Sequence, residues 1–233
     1  MIDVAHAVGR ETFNKQIPYT ANALRRPDVY LVSPRMQQTT QEDTVYKLAR
    51  LNIQSTKRMI LNISTNARWA QNGMTVAGGH GDGNATNQLD RPFGLFVDDD
   101  QTIVIADAWN YRVVQWKMGD TNGQVVAGGH GLGCGLDQLH FPTDLLIDEE
   151  TNSLTISEWH NRRVVRWSRC SGTTQGGILI DGIDCFGLAM DDQRCLYISD
   201  FEKDEGRQYQ IGNKHGTIVA GGHGKGDALN QLN

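Results

Sequence analysis

Short apolar runs separated by polar turns recur from about residue 90 onward. The first group of runs lies at residues 93–97, 102–106, 112–116 and 124–127. Runs of this length that are rich in β-branched and aromatic residues predict β-strands, and the Asp, Asn and Gly residues between them predict turns. In the first two runs the apolar residues are consecutive, so both faces of these strands are predicted to be buried.

The group of four strands is repeated along the chain. The sequence Val-Ala-Gly-Gly-His-Gly occurs at residues 76–81, 126–131 and 219–224, at intervals of 50 and 93. Asp107, Glu158 and Asp200 each end an apolar run, 51 and 42 residues apart, so the longer interval holds two copies. A four-stranded unit at such a period, with strands buried on both faces, predicts the blades of a β-propeller.

The first two copies share an order of landmarks: Pro-x-Gly (Pro-x-Asp in the second), an apolar run ending in an acid, Asn-x-Arg, and Gly-Gly. The first two copies supply Pro92, Gly94, Asp107, Asn110 and Arg112, then Pro142, Glu158, Asn161 and Arg163. In the third, Cys185, Lys203 and Glu205 replace the Pro, Asn and Arg. Over residues 67–233 this order resembles the NHL-repeat proteins, which form β-propellers of usually six blades. A WD40 propeller is the alternative, but its Gly-His and Trp-Asp landmarks are absent at these positions.

We therefore predict an all-β fold, a partial and open β-propeller of the six-bladed NHL type. It would have three four-stranded blades, at about 90–127, 140–181 and 183–220, and the start of a fourth at 221–233. Residues 68–76 are expected to form the outer strand of a preceding blade. Since the pattern stops between landmarks, the chain is expected to be a fragment or truncated product. The alternative is a homodimer in which two arcs complete six blades.

The composition changes near residue 66. Of the 26 Gly residues, 25 lie beyond this point, and the net charge is +4 over residues 1–66 and −9 over 67–233. Residues 1–66 are predicted to be a partly disordered arm with a short helix near 44–52. The overall net charge of −5 disfavours a protein whose main task is binding phosphate backbones. The pattern predicts no signal peptide or membrane-spanning segment, so we expect a cytoplasmic location and no membrane partner.

One side of the predicted propeller gathers aromatic and basic residues. The loops that enter the first strand of a blade and those between its second and third strands emerge on the same side. The predicted binding face consists of Trp109, Asn110, Tyr111, Arg112, Trp159, His160, Asn161 and Arg162. Aromatic and basic residues together are typical of protein hot spots and of single-stranded nucleic-acid sites. The acidic propeller region favours a protein or peptide ligand over RNA.

Other repeated residues receive structural interpretations. Asp107, Glu158 and Asp200 are expected to accept hydrogen bonds from loop N–H groups or from the Arg of their own hairpin. The pairs Gly78 and Gly79, Gly128 and Gly129, and Gly221 and Gly222 are expected to adopt positive φ. The acidic segments 98–100, 148–150 and 191–192 are interpreted as solvated turns. The repeated His80, His130 and His223 are interpreted as turn residues, so no metal site and no cofactor are predicted.

The residue pattern contains no nucleophile paired with a base and no paired catalytic carboxylates. We therefore expect a non-enzymatic scaffold that binds a protein or peptide. The NHL resemblance also implies three alternatives: an RNA-binding propeller, the substrate-recognition part of a ubiquitin ligase system, and, less favoured, a metal-dependent lyase or hydrolase. Residues 1–66 lack the Cys/His pairs of a RING or B-box, so no ligase activity is expected of this chain itself.

Overall fold

A computed structural model of the chain describes residues 29–31, 73–98, 100–170 and 172–232. The predicted helix near residues 44–52 lies outside these residues. The described strands are β1 (Val29–Leu31), β2 (Met74–Ala77), β3 (Pro92–Val97), β4 (Ile103–Asp107), β5 (Arg112–Trp116), β6 (Gln124–Gly128), β7 (Pro142–Asp148), β8 (Ser153–Glu158), β9 (Arg163–Ser168), β10 (Gly177–Asp181), β11 (Cys185–Met190), β12 (Leu196–Asp200), β13 (Glu205–Tyr209) and β14 (Thr217–Gly221). One 3-10 turn, Ala108–Asn110, follows β4.

Twelve of these strands form three four-stranded antiparallel sheets. The sheets are β3 to β6, β7 to β10 and β11 to β14, and in each one every strand pairs with its neighbour in sequence. We call them blades 1, 2 and 3. The four strands predicted for the first copy lie within one residue of β3 to β6. The all-β fold and the three four-stranded blades are thus confirmed.

The blades pack side by side through their first strands. Strand β7 contacts both β3 and β11, so the three first strands lie together on the inner side of the arc. The core between blades 1 and 2 contains Val113, Leu139, Leu154 and Trp167, all almost fully buried. A second core lies between blades 2 and 3. Each large side chain buried in these layers contributes about 1.5–3 kcal/mol, so the packing between blades is a large source of stability.

A two-stranded sheet lies beside blade 1. Strand β2 pairs antiparallel with β1, with Tyr30 opposite Thr75. Ala77, at the end of β2, shares a buried cluster with Leu89 and Trp116 of blade 1. Strand β2 carries the same sequence motif as β6 and β14, and Ala77 is buried against blade 1 as Ala127 is against blade 2, so β2 corresponds to the outer strand of a preceding blade.

The acidic turns on the side opposite the predicted binding face are more than solvated turns. Asp98 accepts a hydrogen bond from Arg169 Nη2 at 2.5 Å, although Arg169 belongs to the next blade. Asp148 and Glu150 accept from Arg194, again one blade further on. Two of the three turns therefore tie neighbouring blades together, a pairing that the local sequence could not reveal because the partners are 44 to 71 residues apart.

In the part of the chain that the structure describes, none of the helical segments has the length and apolar character that a membrane crossing requires.

Candidate ligand-binding face

A buried carboxylate organises the loop face of blade 1. Asp107 ends β4, and its Oδ2 accepts hydrogen bonds from Arg112 Nε at 2.7 Å and from Asn110 Nδ2 at 2.9 Å. Its Oδ1 accepts from the backbone N–H of Asp90 at 2.7 Å. The remaining donors of Asn110 and Arg112 bind four backbone carbonyls of the loop before β3. These belong to Gly83, Asn84, Ala85 and Gln88. We call this arrangement the acid–Asn–Arg bracket.

Blade 2 repeats the bracket with Glu in place of Asp. Glu158 Oε2 accepts from Arg163 Nε at 2.5 Å, and Oε1 accepts from Asn161 Nδ2 at 2.8 Å and from the backbone N–H of His140 at 2.9 Å. The carbonyls bound by Asn161 and Arg163 are those of Gly133, Cys134, Gly135 and Gln138. Each bracket therefore fixes the loop that arrives from the preceding blade.

Burial is the main influence on the two bracket acids. It raises the pKa of Asp107, while the hydrogen bonds from Asp90, Asn110 and Arg112 oppose this effect. Burial raises the pKa of Glu158 in the same way, against the bonds from its own Arg and Asn. Both carboxylates are 0% exposed, so they organise the loops and have no surface to offer a ligand.

Blade 3 lacks the complete bracket. Asp200 is buried, but no hydrogen bond reaches its carboxylate oxygens from the described residues; its ion-pair partner is Lys203, with Nζ at 3.2 Å. Glu205 stands where the other blades have Arg and pairs with Arg207 instead, at 2.5 Å. The loop that a bracket would hold is also missing. Only residues 182–184 connect β10 to β11, whereas 78–91 and 129–141 precede β3 and β7.

Between these fixed loops runs a continuous set of aromatic rings, which we call the aromatic row. It consists of Trp109, Tyr111, His140, Phe141, Trp159, His160, Phe186 and Phe201. Trp109 meets Phe141 edge to face at 5.5 Å between ring centroids, and Phe141 stacks on His160 at 4.5 Å. Trp159 then meets Phe201 at 6.0 Å. The row thus links all three blades.

Part of the row is open to solvent. Trp109 is 39% exposed and Phe201 59%, His160 is exposed, and Tyr111 and Trp159 are half-buried. Two arginines border the row. The Arg91 guanidinium lies 3.7 Å from the centroid of the Trp109 ring, and the exposed Arg162 pairs with Asp184 at 2.8 Å. Edge-to-face and cation–π contacts of this kind hold the rings in defined orientations.

The backbone beneath the row adopts unusual conformations at equivalent positions of the blades. Tyr111 and Arg162, each the residue before the third strand, have φ of 53° and 52°, and Phe141, before β7, has φ of 51°. Residues other than Gly adopt this left-handed region at a cost of about 1–2 kcal/mol each. Asp204, before the third strand of blade 3, has φ of 49° although that blade lacks the bracket, so this conformation belongs to the turn itself in each of the described blades.

The paired histidines of the row influence one another. His160 Nδ1 lies 3.2 Å from His140 Nε2, within hydrogen-bond distance. Burial lowers the pKa of His140, and the neighbouring His160 lowers it further. The pair therefore favours a neutral His140 near pH 7.

The glycine pairs and the repeated histidines lie in the loops as turn residues. All six paired glycines have positive φ, and a Cβ on Gly128 would lie 2.6 Å from the carbonyl oxygen of Tyr111. His80 and His130 are exposed, and their Nδ1 atoms lie within hydrogen-bond distance of the carbonyls of Asn87 and Asp137 in their own loops. Among the described residues no group of three or more His, Cys, Asp or Glu side chains is placed to hold a metal ion.

The structure divides the eight residues of the predicted binding face. Trp109, Tyr111, Trp159 and His160 belong to the aromatic row, and Arg162 borders it. Asn110, Arg112 and Asn161 turn inward into the brackets. Sequence reasoning missed His140, Phe141, Phe186, Phe201 and Arg91. One signal was available for Phe201: like Trp159, it directly follows the acid that ends the second strand.

Comparison with known proteins gives only similarities of fold. No family model matches the sequence, and no curated protein matches it either. Among solved structures, a chain of a nidogen/laminin complex is similar at 16% identity with a TM-score of 0.47, over 63% of this chain and 57% of that one. The streptogramin B lyase structure is similar at 10% identity with a TM-score of 0.42, over 57% of this chain and 43% of that one. A protein of unknown function from Bacteroides thetaiotaomicron is similar at 14% identity with a TM-score of 0.45, over 66% of this chain and 41% of that one.

This chain thus spans about half the length of the structures that it resembles. Its own three sheets, packed through their first strands, define the class of protein. It is a partial β-propeller with three described blades.

Proposed function

We propose that the chain is a non-enzymatic binding module of the NHL-repeat type, and that a protein or peptide ligand binds on the aromatic row. The observation that carries the proposal is the continuity of partly exposed rings across three blades. Tryptophan, tyrosine and arginine dominate protein hot spots, because they combine large apolar area with directional polar groups. Arg91 and Arg162 add such groups at the border of the row.

The rigidity of the loops supports the same function. Asp107 and Glu158 fix the loops on which Trp109 and Trp159 lie, so a ligand meets rings that are already ordered. A site that is ordered in advance loses less conformational entropy on binding than a flexible loop does.

The repeated bracket supports the assignment to the NHL type. In blades 1 and 2 the acid, Asn and Arg of the motif act together on one loop, and each blade's first strand begins at a Pro. The landmarks that suggested the resemblance therefore form one structural unit, as expected if they define a repeat.

Selection of peptides from a displayed library on the purified chain tests the function. We expect Phe201→Ala and Trp109→Ala each to weaken the selected peptides at least tenfold, because truncation of a hot-spot ring costs about 2 kcal/mol or more. Met118→Ala is the matched control, since Met118 is 52% exposed and lies outside the row. Equal affinity of all three variants would show that the peptides bind elsewhere.

RNA is the second candidate ligand, because exposed rings beside arginines also suit the stacking of single-stranded bases. A uridine oligonucleotide separates the two functions. Binding that falls steeply with salt and is lost with Arg162→Ala would favour RNA. If the oligonucleotide binds only weakly, and Phe201→Ala does not change that binding, the result would favour a protein ligand.

A further inference from the structure

The segment after β14 forms the same loop that precedes blades 1 and 2. Gln231 Nε2 donates to the carbonyl of His223 at 3.2 Å, as Gln88 does to His80 and Gln138 to His130. A parallel bridge closes each loop, between Lys225 and Leu232 in the last copy. The loop at residues 222–232 is therefore formed by its own contacts.

In the two earlier copies the next blade holds this loop. An Arg and an Asn from that blade donate to four loop carbonyls, as described for Arg112 and Asn110. The corresponding carbonyls of the last loop are those of Gly226, Asp227, Ala228 and Gln231. Within residues 73–232, as far as the structure describes them, no Arg or Asn side chain donates to these four oxygens.

Burial shows the same difference between the copies. Leu89 and Leu139, at the ends of the first two loops, are 0% exposed, whereas Leu232 is 41% exposed. Ala77 and Ala127 are buried beneath the following blade, whereas Ala220 is exposed. The apolar positions of the last copy thus lack the cover that a following blade supplies.

The outer face of blade 3 also has the shape of a receiving face. Where blade 1 meets blade 2, the small residues Val104, Ala106 and Val113 face the larger Leu154, Ile156 and Trp167. The equivalent positions of blade 3 carry Tyr197, Ser199 and Gly206. Two of these three are as small as their counterparts, so there is room for large side chains from a neighbour.

We propose that β14, the outer face of blade 3 and the loop at residues 222–232 together form a docking surface for a four-stranded propeller blade that carries an acid–Asn–Arg bracket. Its Arg and Asn would donate to the carbonyls of Gly226, Asp227, Ala228 and Gln231, and its large apolar residues would cover Ala220 and Leu232. A second copy of this chain fits less well, because its own bracket arginines, Arg112 and Arg163, are already bound to loops.

The test adds a fourth blade to the full chain by placing a copy of residues 91–128 directly after Asn233. We expect amide hydrogen exchange over residues 217–232 to slow about tenfold or more, as in segments covered by tertiary packing. Leu232→Ala should lower the urea midpoint of the extended chain and leave that of the original chain unchanged. The matched control changes the added copy of Arg112 to Gln, which should remove most of the protection.

Three results would overturn the proposal. In the first, the added blade exchanges freely while blades 1 to 3 keep their protection. In the second, Leu232→Ala has the same effect with and without the added blade. In the third, the original chain gains the same protection as its concentration rises, and Leu232→Ala weakens its self-association; the occupant would then be a second copy.

Discussion

Blades 1 and 3 have the same four-stranded sheet but connect to their neighbours in different ways. Blade 1 holds a fourteen-residue loop, 78–91, through Asp107 and Arg112. Blade 3 follows a connection of three residues, 182–184, and has Glu205 where Arg112 stands. The shorter connection accounts for the shorter repeat interval. The comparison also indicates the role of the Arg, which is to bind the loop: blade 3 lacks both the loop and the Arg.

The acid, by contrast, is kept in all three blades. Asp200 remains buried in blade 3, with Lys203 as its ion-pair partner. The comparison therefore separates two roles within one motif. The carboxylate ends the second strand in all three described blades. The Arg is present only in the two blades that have a long preceding loop for it to bind.

The largest effect is expected when the bracket Arg is replaced. We expect Arg112→Gln to destabilise the chain by about 3–5 kcal/mol, because it leaves the buried Asp107 carboxylate without its charged partner. Glu205→Gln, at the same repeat position, should cost about 1 kcal/mol or less, since Arg207 stays partly exposed. Urea denaturation followed by tryptophan fluorescence measures both. Similar losses in the two variants would contradict the assigned role of Arg112.

The loop leucines test the same contrast through apolar packing. Leu139→Ala should cost about 2–5 kcal/mol, because Leu139 is fully buried between blades 1 and 2. Leu232→Ala, the matched change in the last loop, should stay within about 0.5 kcal/mol. Calorimetric unfolding of the two variants gives the difference, and a large loss for Leu232→Ala would show that this side chain is already covered.

Restoring the missing loop and Arg of blade 3 tests whether the two act as one unit. Residues 129–139 would be inserted between Ile183 and Asp184, alone and together with Glu205→Arg. If Arg and loop act as one unit, the double change should be more stable than the sum of the single changes by about 0.5–3 kcal/mol, the range found for residues in direct contact. Additive effects would mean that blade 3 has lost the ability to form a bracket.

The smallest expected effect concerns the paired histidines, which blade 3 lacks. The lowered pKa of His140 means that the folded chain binds fewer protons there than the unfolded chain does. Its contribution to stability is therefore present above about pH 6.5 and is lost as the pH falls through the folded pKa. The urea midpoint should decrease between pH 7.5 and 5.5. His140→Gln should reduce this dependence, and His215→Gln, at an exposed site in blade 3, is the control for the replacement of a histidine.

The sequence predicted the strands and the motif better than it predicted the aromatic row. Strands such as β4 and β8 are marked by local runs, and the repeat makes their register clear. The row depends on which residues of different blades become neighbours: Phe141 meets Trp109, and Phe186 meets Trp159, through packing of sheets that are far apart in sequence. Asn110 and Arg112 adjoin the rings in sequence but turn inward, because a buried carboxylate needs donors.

The left-handed backbone at Tyr111, Phe141 and Arg162 has a consequence for the kinetics of the proposed ligand binding. The backbone N–H groups of Tyr111 and Arg162 donate to the carbonyls of Ala108 and Trp159, so these turns are closed during folding, before any ligand arrives. A ligand would then meet a surface with a single shape, and its association rate should depend on diffusion and orientation, without a slow rearrangement of the loops. Discrimination between ligands would appear mainly in how long each one stays bound.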